Sequence, residues 1–161
     1  ITTRLVGSEM CIRDRDCSAH HFAETVYQTH QVIILPPVEF IKEFPDEDVT
    51  IHIDRMRLTQ VITNFLGNAK KFTSQGHIKL GYFCDKEKKE IHIFVEDTGA
   101  GIPKEELQMI FERFYKRNEF VQGVGLGLAI SKVIVEKMNG HIDVQSEVNK
   151  GSRFTAVLPY L

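Results

Sequence analysis

Of the eleven glycines in the chain, five (Gly99, Gly101, Gly123, Gly125 and Gly127) fall between positions 99 and 127. Asp97-Thr98-Gly99-Ala100-Gly101 follows a predicted strand, and Gly123-Val124-Gly125-Leu126-Gly127 leads into a predicted helix. Glycine lets backbone approach a ligand closely, and the free N–H groups and dipole at a helix start favour an anion. Phosphate is the natural guest of such a pair of loops, although tight turning alone also places glycine at strand-to-helix junctions. The Gly-x-Gly-x-Gly spacing is not the dinucleotide Gly-x-Gly-x-x-Gly, and no Gly-x-x-x-x-Gly-Lys-Ser/Thr occurs. Neither the dinucleotide fold nor the P-loop is therefore supported.

A second set of polar residues stands at Asn64, Asn68 and Lys71, spaced i, i+4 and i+7. On a helix that spacing gathers them into one stripe. An Asn carbonyl is a hard oxygen ligand suited to Mg²⁺ shared with phosphate oxygens, and a Lys adds a point charge. A solvated helix face would show the same stripe, so its meaning depends on the glycine clusters beside it.

The elements that must position these residues follow from periodicity. From Asp54, a candidate N-cap, Leu58, Val61, Ile62, Phe65, Leu66 and Ala69 recur at helical spacing and predict an amphipathic helix. Residues 20–33 give a weaker helical pattern that ends before Pro36-Pro37. Val38 to Phe44 and Val49 to Ile53 read as two strands of a hairpin turned by Pro45-Asp46-Glu47-Asp48. Ile78 to Phe83 and Ile91 to Val95 alternate as strands around a charged turn. Leu126, Ile130, Val133, Ile134 and Met138 predict a helix stopped by Gly140, and Ile142 to Val148 with Phe154 to Leu158 a closing strand pair. That order predicts an α+β fold, a two-layer α/β sandwich with a mixed sheet and helices on one face.

With 161 residues, 42% hydrophobic and 26% charged, the chain has material for one core, and its formal net charge of −2 offers no basic field for nucleic acid. The longest aliphatic run, Val32 to Leu35, is far short of the roughly 20 residues of a spanning helix, and no leader pattern opens the chain. Three scattered cysteines, Cys11, Cys17 and Cys84, give neither a disulfide framework nor a zinc motif, and point to a reducing, cytoplasmic setting. Leu5 to Arg15 lacks either period and resembles a sequencing adapter translated in frame, so residues 1–15 are set aside as an appendage.

Taken together the motifs resemble the catalytic and ATP-binding domain of sensor histidine kinases, within the GHKL (HATPase) fold shared with gyrase-type ATPases. Asn64-Phe65-Leu66-Gly67-Asn68-Ala69-Lys70-Lys71-Phe72-Thr73 looks like the N box of that family, Asp97 to Ile102 like its G1 box and Phe111-Glu112-Arg113-Phe114-Tyr115 like its F box. Gly123 to Leu128 resembles the G2 box, and Gly151-Ser152-Arg153-Phe154 the closing strand motif. The resemblance implies an ATP-binding domain over residues 38–161, with 16–37 as the connection from an absent dimerisation and phosphoacceptor hairpin. It also implies that Asp97 accepts the adenine amino group beside Gly99, Gly101 and Ile102, that Asn68 holds Mg²⁺, that Lys71 contacts phosphate and that Phe72 packs near the nucleoside. The backbone of Gly123, Val124, Gly125, Leu126, Gly127 and Leu128 would cradle the triphosphate. Residues 102–122 would form a lid latched by Ile110, Phe111 and Phe114, carrying Lys116 or Arg117 to the γ-phosphate.

Gyrase-like relatives in this fold carry a Glu four residues before the Mg²⁺ Asn, as general base for water. Asn64 stands there in this chain, which favours phosphoryl transfer to a protein over hydrolysis. No His has the acceptor context of the family, so a protein-histidine kinase whose acceptor lies on another domain is the expected activity. A GHKL-type ATPase and a non-catalytic nucleotide-sensing module are the alternatives. The expected partners are the phosphoacceptor domain of the same parent and a response regulator receiver domain. Nucleic acid is not among them, and the chain itself is expected to be monomeric, outside the membrane and cytoplasmic, with a parent free to anchor in the inner membrane.

Overall fold

A computed structural model describes residues 14–112 and 127–160. In chain order the elements are β1 (Asp14–Ser18), α1 (Ala19–Gln31), β2 (Val38–Glu43), β3 (Thr50–Asp54), α2 (Arg55–Phe72), β4 (Gly76–Asp85), β5 (Glu90–Asp97), a 3-10 turn (Lys104–Glu106), α3 (Gly127–Lys137), β6 (His141–Glu147) and β7 (Gly151–Pro159). A five-stranded sheet has the order β2-β4-β5-β7-β6, in which β2 and β4 run parallel and the other pairs antiparallel. β1 and β3 form a separate antiparallel pair. The mixed sheet with a helical layer matches the expected α+β sandwich.

α2 is the central helix. Asp54 caps it by accepting the N–H groups of Met56 and Arg57 at 3.1 and 3.2 Å. All six residues of its predicted apolar stripe, Leu58 to Ala69, are buried. They meet Ile78, Leu80, Tyr82, Ile91, Ile93, Val95, Phe154, Ala156 and Leu158 from the sheet in one core cluster. Alternation along β4, β5 and β7 delivers those side chains to a single face.

Two expectations need correction, the hairpin and the apolar stripe of α3. The strands 38–44 and 49–53 do not form a hairpin: β2 pairs with β4, Val38 opposite Gly76, while β3 pairs with β1, Ser18 opposite Thr50. The connecting segment crosses between the two sheets because Asp48 is taken by the start of α1, accepting from the Ser18 hydroxyl and from the backbone N–H groups of His20 and Val49. Much of the segment 16–37 packs into the same core. Ala19, Phe22, Ala23, Val26, Tyr27 and Ile34 lie in the same core cluster as α2, and the Tyr27 hydroxyl donates to the Phe40 carbonyl at 3.1 Å. Ahead of that segment, the strand pairing of β1 with β3 sets Asp14 opposite Asp54 and Arg15 opposite Ile53. In α3, Ile134 is buried, whereas Ile130 and Val133 of the expected stripe are exposed. That helix stops on Asn139 in the left-handed region (φ 63°), with N–H bonds from Asn139 to the Glu136 carbonyl and from Gly140 to that of Val135.

Candidate functional site

β5 ends on Asp97, which is 7% exposed. Burial pushes its carboxyl pKa up, against the pull of the Gly99 and Ser152 backbone N–H groups. The Gly99 N–H reaches Oδ1 at 2.8 Å. The Thr73 hydroxyl pulls the same way although it makes no well-formed hydrogen bond among the described residues. A carboxylate is thus kept at the end of a central strand where the fold must work to hold it ionised.

The loop after it is pinned on three sides. Thr98 exchanges bonds with His77 at the start of β4, donating its N–H to the His77 carbonyl at 3.1 Å. Ala100 donates to the Phe72 carbonyl at 3.3 Å, and accepts from Asn149 in the β6–β7 turn at 2.7 Å. The Ile102 N–H reaches Ser146 Oγ at 2.7 Å. Glycine is required by this close packing: a Cβ on Gly99 would lie 2.3 Å from the Phe72 carbonyl oxygen, and one on Gly101, at φ +73°, would lie 2.0 Å from that of Glu147. Ile102 is buried and Phe72 half-buried.

On α2, Asn64 and Asn68 are half-buried and Lys71 exposed. Asn64 is tied to α3: its Nδ2 donates to the Gly127 carbonyl at 3.1 Å and to Ser131 Oγ at 3.0 Å, and Ser131 Oγ donates to the same carbonyl at 2.8 Å. The structure therefore brings Asn64 to the start of the helix that Gly127 and Leu128 open, and sets Phe72 against the Asp97 loop. Lys116, Arg117, Gly123, Val124, Gly125 and Leu126 lie outside the described residues, as does Phe114. Ile110 is buried against the core, with Phe111 packed beside it.

Sequence reasoning assigned no role to Thr73, Ser131 or Ser146. Ser131 had a legible signal, a hydroxyl four residues after Gly127 on a helix, where serine bonds back to the i−4 carbonyl. Ser146 had none, because it accepts from the N–H of Ile102, 44 residues away, while donating to the Gly151 carbonyl across the β6–β7 turn. Among the described residues no three His, Cys, Asp or Glu side chains gather to hold a metal, and no helix is long and apolar enough to cross a membrane.

The chain belongs to the family of histidine kinase-, DNA gyrase B- and HSP90-like ATPases, whose model matches residues 53–161. Sensor histidine kinase WalK of Bacillus subtilis is 39% identical over 128 residues, 76% of this chain and 21% of WalK. The chain thus spans about a fifth of that relative. Full-length ShkA, solved in complex with AMPPNP, superposes with a TM-score of 0.80 at 29% identity, over 87% of this chain and 29% of ShkA. The catalytic domain of histidine kinase ThkA superposes with a TM-score of 0.79 at 28% identity, covering 91% of this chain and 95% of that domain.

Proposed function

We propose that the chain is the ATP-binding catalytic unit of a sensor histidine kinase, binding ATP with Mg²⁺ and presenting the γ-phosphoryl group to a histidine on a separate dimerisation domain of the same parent. The observation that carries this reading is Asp97, a buried carboxylate at a strand end, with one oxygen bonded to the Gly99 N–H and an unsatisfied Thr73 hydroxyl beside it. An acceptor in that setting suits the exocyclic amine of adenine and repels the carbonyl of guanine.

In this reading Asp97 selects the base, and the pinned loop of Gly99, Gly101 and Ile102 holds the carboxylate in place. Phe72 packs near the nucleoside. Asn68 offers its carbonyl oxygen to Mg²⁺ and Lys71 a charge to the phosphates. Bound Mg²⁺ would neutralise phosphate charge as the phosphoryl group transfers. The backbone from Gly123 to Leu128, ahead of and opening α3, cradles the triphosphate by its N–H groups, and Lys116 or Arg117 approaches the γ-phosphate. At position 64 an amide stands where a general base for water would, which favours transfer over hydrolysis. The ATP requirement puts the domain on the cytoplasmic side, with the parent's phosphoacceptor domain and a response regulator receiver domain as partners.

Titration calorimetry of the chain with ATP, with and without Mg²⁺, and with GTP as control, tests this reading. Mg²⁺-dependent heat with ATP and none with GTP is the expected result. A folded chain that binds neither would overturn it.

A further inference from the structure

Ser131 is fully buried on α3, outside every motif that marks the site, yet it touches Asn64, a polar residue of α2 that bonds across to α3. Asn64 Nδ2, the Gly127 carbonyl oxygen and Ser131 Oγ form a near-equilateral triangle with edges of 3.1, 3.0 and 2.8 Å. Two acceptors that close together share one amide N–H in a three-centre bond. The protons can be counted. A carbonyl has none, and the single hydroxyl proton of Ser131 is committed to that carbonyl, so Ser131 shows Asn64 only lone pairs. Both partners of position 64 are acceptors, and the triangle closes only if position 64 supplies an N–H.

From this count we propose that Ser131 is a positioning residue for the nucleotide site, which fixes the orientation of the Asn64 amide and makes position 64 an obligatory donor. The inference rests on the nucleotide-binding reading above. It has two consequences. First, Asn64 clips the first turn of α3, where the phosphate-cradling backbone ends, to α2 one turn before Asn68, so the two halves of the phosphate site keep register. Second, a carboxylate at 64 would set lone pairs against the Gly127 carbonyl, so the group that could serve hydrolysis as a base is disfavoured by α3 itself. Asn64 Oδ1 remains as the amide's other hydrogen-bonding atom, an acceptor.

The test is a double-mutant cycle on the chain, read by ATP affinity in the presence of Mg²⁺ and by NMR of the Asn64 side-chain amide without nucleotide. Ser131→Ala and Asn64→Ala are each expected to weaken ATP binding about tenfold, the size of one buried hydrogen bond, and the double variant no further than Asn64→Ala alone. Asn64→Asp, which preserves shape and removes the donor, should bind at least as poorly as Asn64→Ala. In the unsubstituted chain the Asn64 amide N–H held in the triangle should be protected from exchange, and Ser131→Ala, which leaves it the Gly127 carbonyl alone, should lower that protection. An affinity loss from Ser131→Ala that persists in the Asn64→Ala background would make Ser131 a packing residue and overturn the proposal, as would wild-type affinity in Asn64→Asp. If the unsubstituted chain takes up no ATP, the proposed function falls, and the clip stands or falls on the exchange measurement alone.

Discussion

Asp97 and Asp48 are built from nearly the same parts. Each carboxylate draws two backbone N–H groups and a hydroxyl: Gly99, Ser152 and Thr73 around Asp97, and His20, Val49 and Ser18 around Asp48. Their surroundings differ. Asp97 is buried, and desolvation outweighs its donors and raises its pKa, whereas Asp48 is exposed and its donors, led by the Ser18 hydroxyl, lower it. Asp48 does local structural work, joining the start of α1 to the approach of β3, while burial, with the Asp48 charge adding to it, holds the Tyr82 phenol up to about 12. Asp97 keeps a charge where the unliganded fold gains little from it. A donor set that stabilises in water and only limits a cost in the core separates a cap from a site awaiting a donor.

The comparison breaks most sharply on ligand binding. Asp97→Asn should lower ATP affinity by about 100-fold, the upper range for a hydrogen bond to a charged group, while titration calorimetry of Asp48→Asn should return the unsubstituted affinity. Equal losses in the two would mean that both carboxylates act through the fold alone. Asn68→Ala sharpens the same contrast within the site. Affinity measured with and without Mg²⁺ should lose most of its metal dependence, about a tenfold effect for one lost oxygen ligand, without altering the preference for ATP over GTP set by Asp97.

Stability reverses the ranking. Asp48→Ala removes the partner of Ser18 and the acceptor of the His20 N–H, and chemical denaturation should report a loss of about 1 kcal/mol. ATP affinity should be untouched. A larger loss would mean that the two-stranded β1–β3 pair comes away with the cap.

The same two regions mark what the sequence could tell. Around Asp97 the signals were local: helical periodicity fixed every buried residue of α2 from Leu58 to Ala69, and alternation fixed the β4–β5 hairpin across its four-residue turn. Around Asp48 they were not. Nothing in residues 38–54 says that β2 will pair in parallel with β4 across α2, or that β3 will turn back to β1, because partners so distant leave no trace in local spacing. The apolar residues of α1 were visible but not their destination in the core beside α2. Within the site, residue types with a chemistry of their own, Asn68, Lys71 and Asp97, were legible. The hydroxyls that support them were not, since Ser and Thr are common at surfaces and only the assembled packing shows which are buried.

The finest distinction is in the pH dependence of folding. A raised folded-state pKa means that the native state binds the Asp97 proton more tightly than the unfolded chain does. Its contribution is complete below the ordinary value of 3.8 and is lost as pH rises through the raised folded value. Asp48 behaves in the opposite sense: its contribution is present above 3.8 and is lost as pH falls through the lowered folded value. Thermal melts between pH 3 and pH 7, each variant taken against the unsubstituted chain, should therefore diverge in mirror image. Asp97→Asn should gain relative stability as pH rises, because it no longer ionises a buried group, and Asp48→Asn should lose it, because it no longer gains the ionised cap. Parallel slopes would place the two carboxylates in equivalent surroundings. A slope for Asp97→Asn that flattens when ATP is added to the unsubstituted reference would tie the cost of the buried charge to the ligand that relieves it.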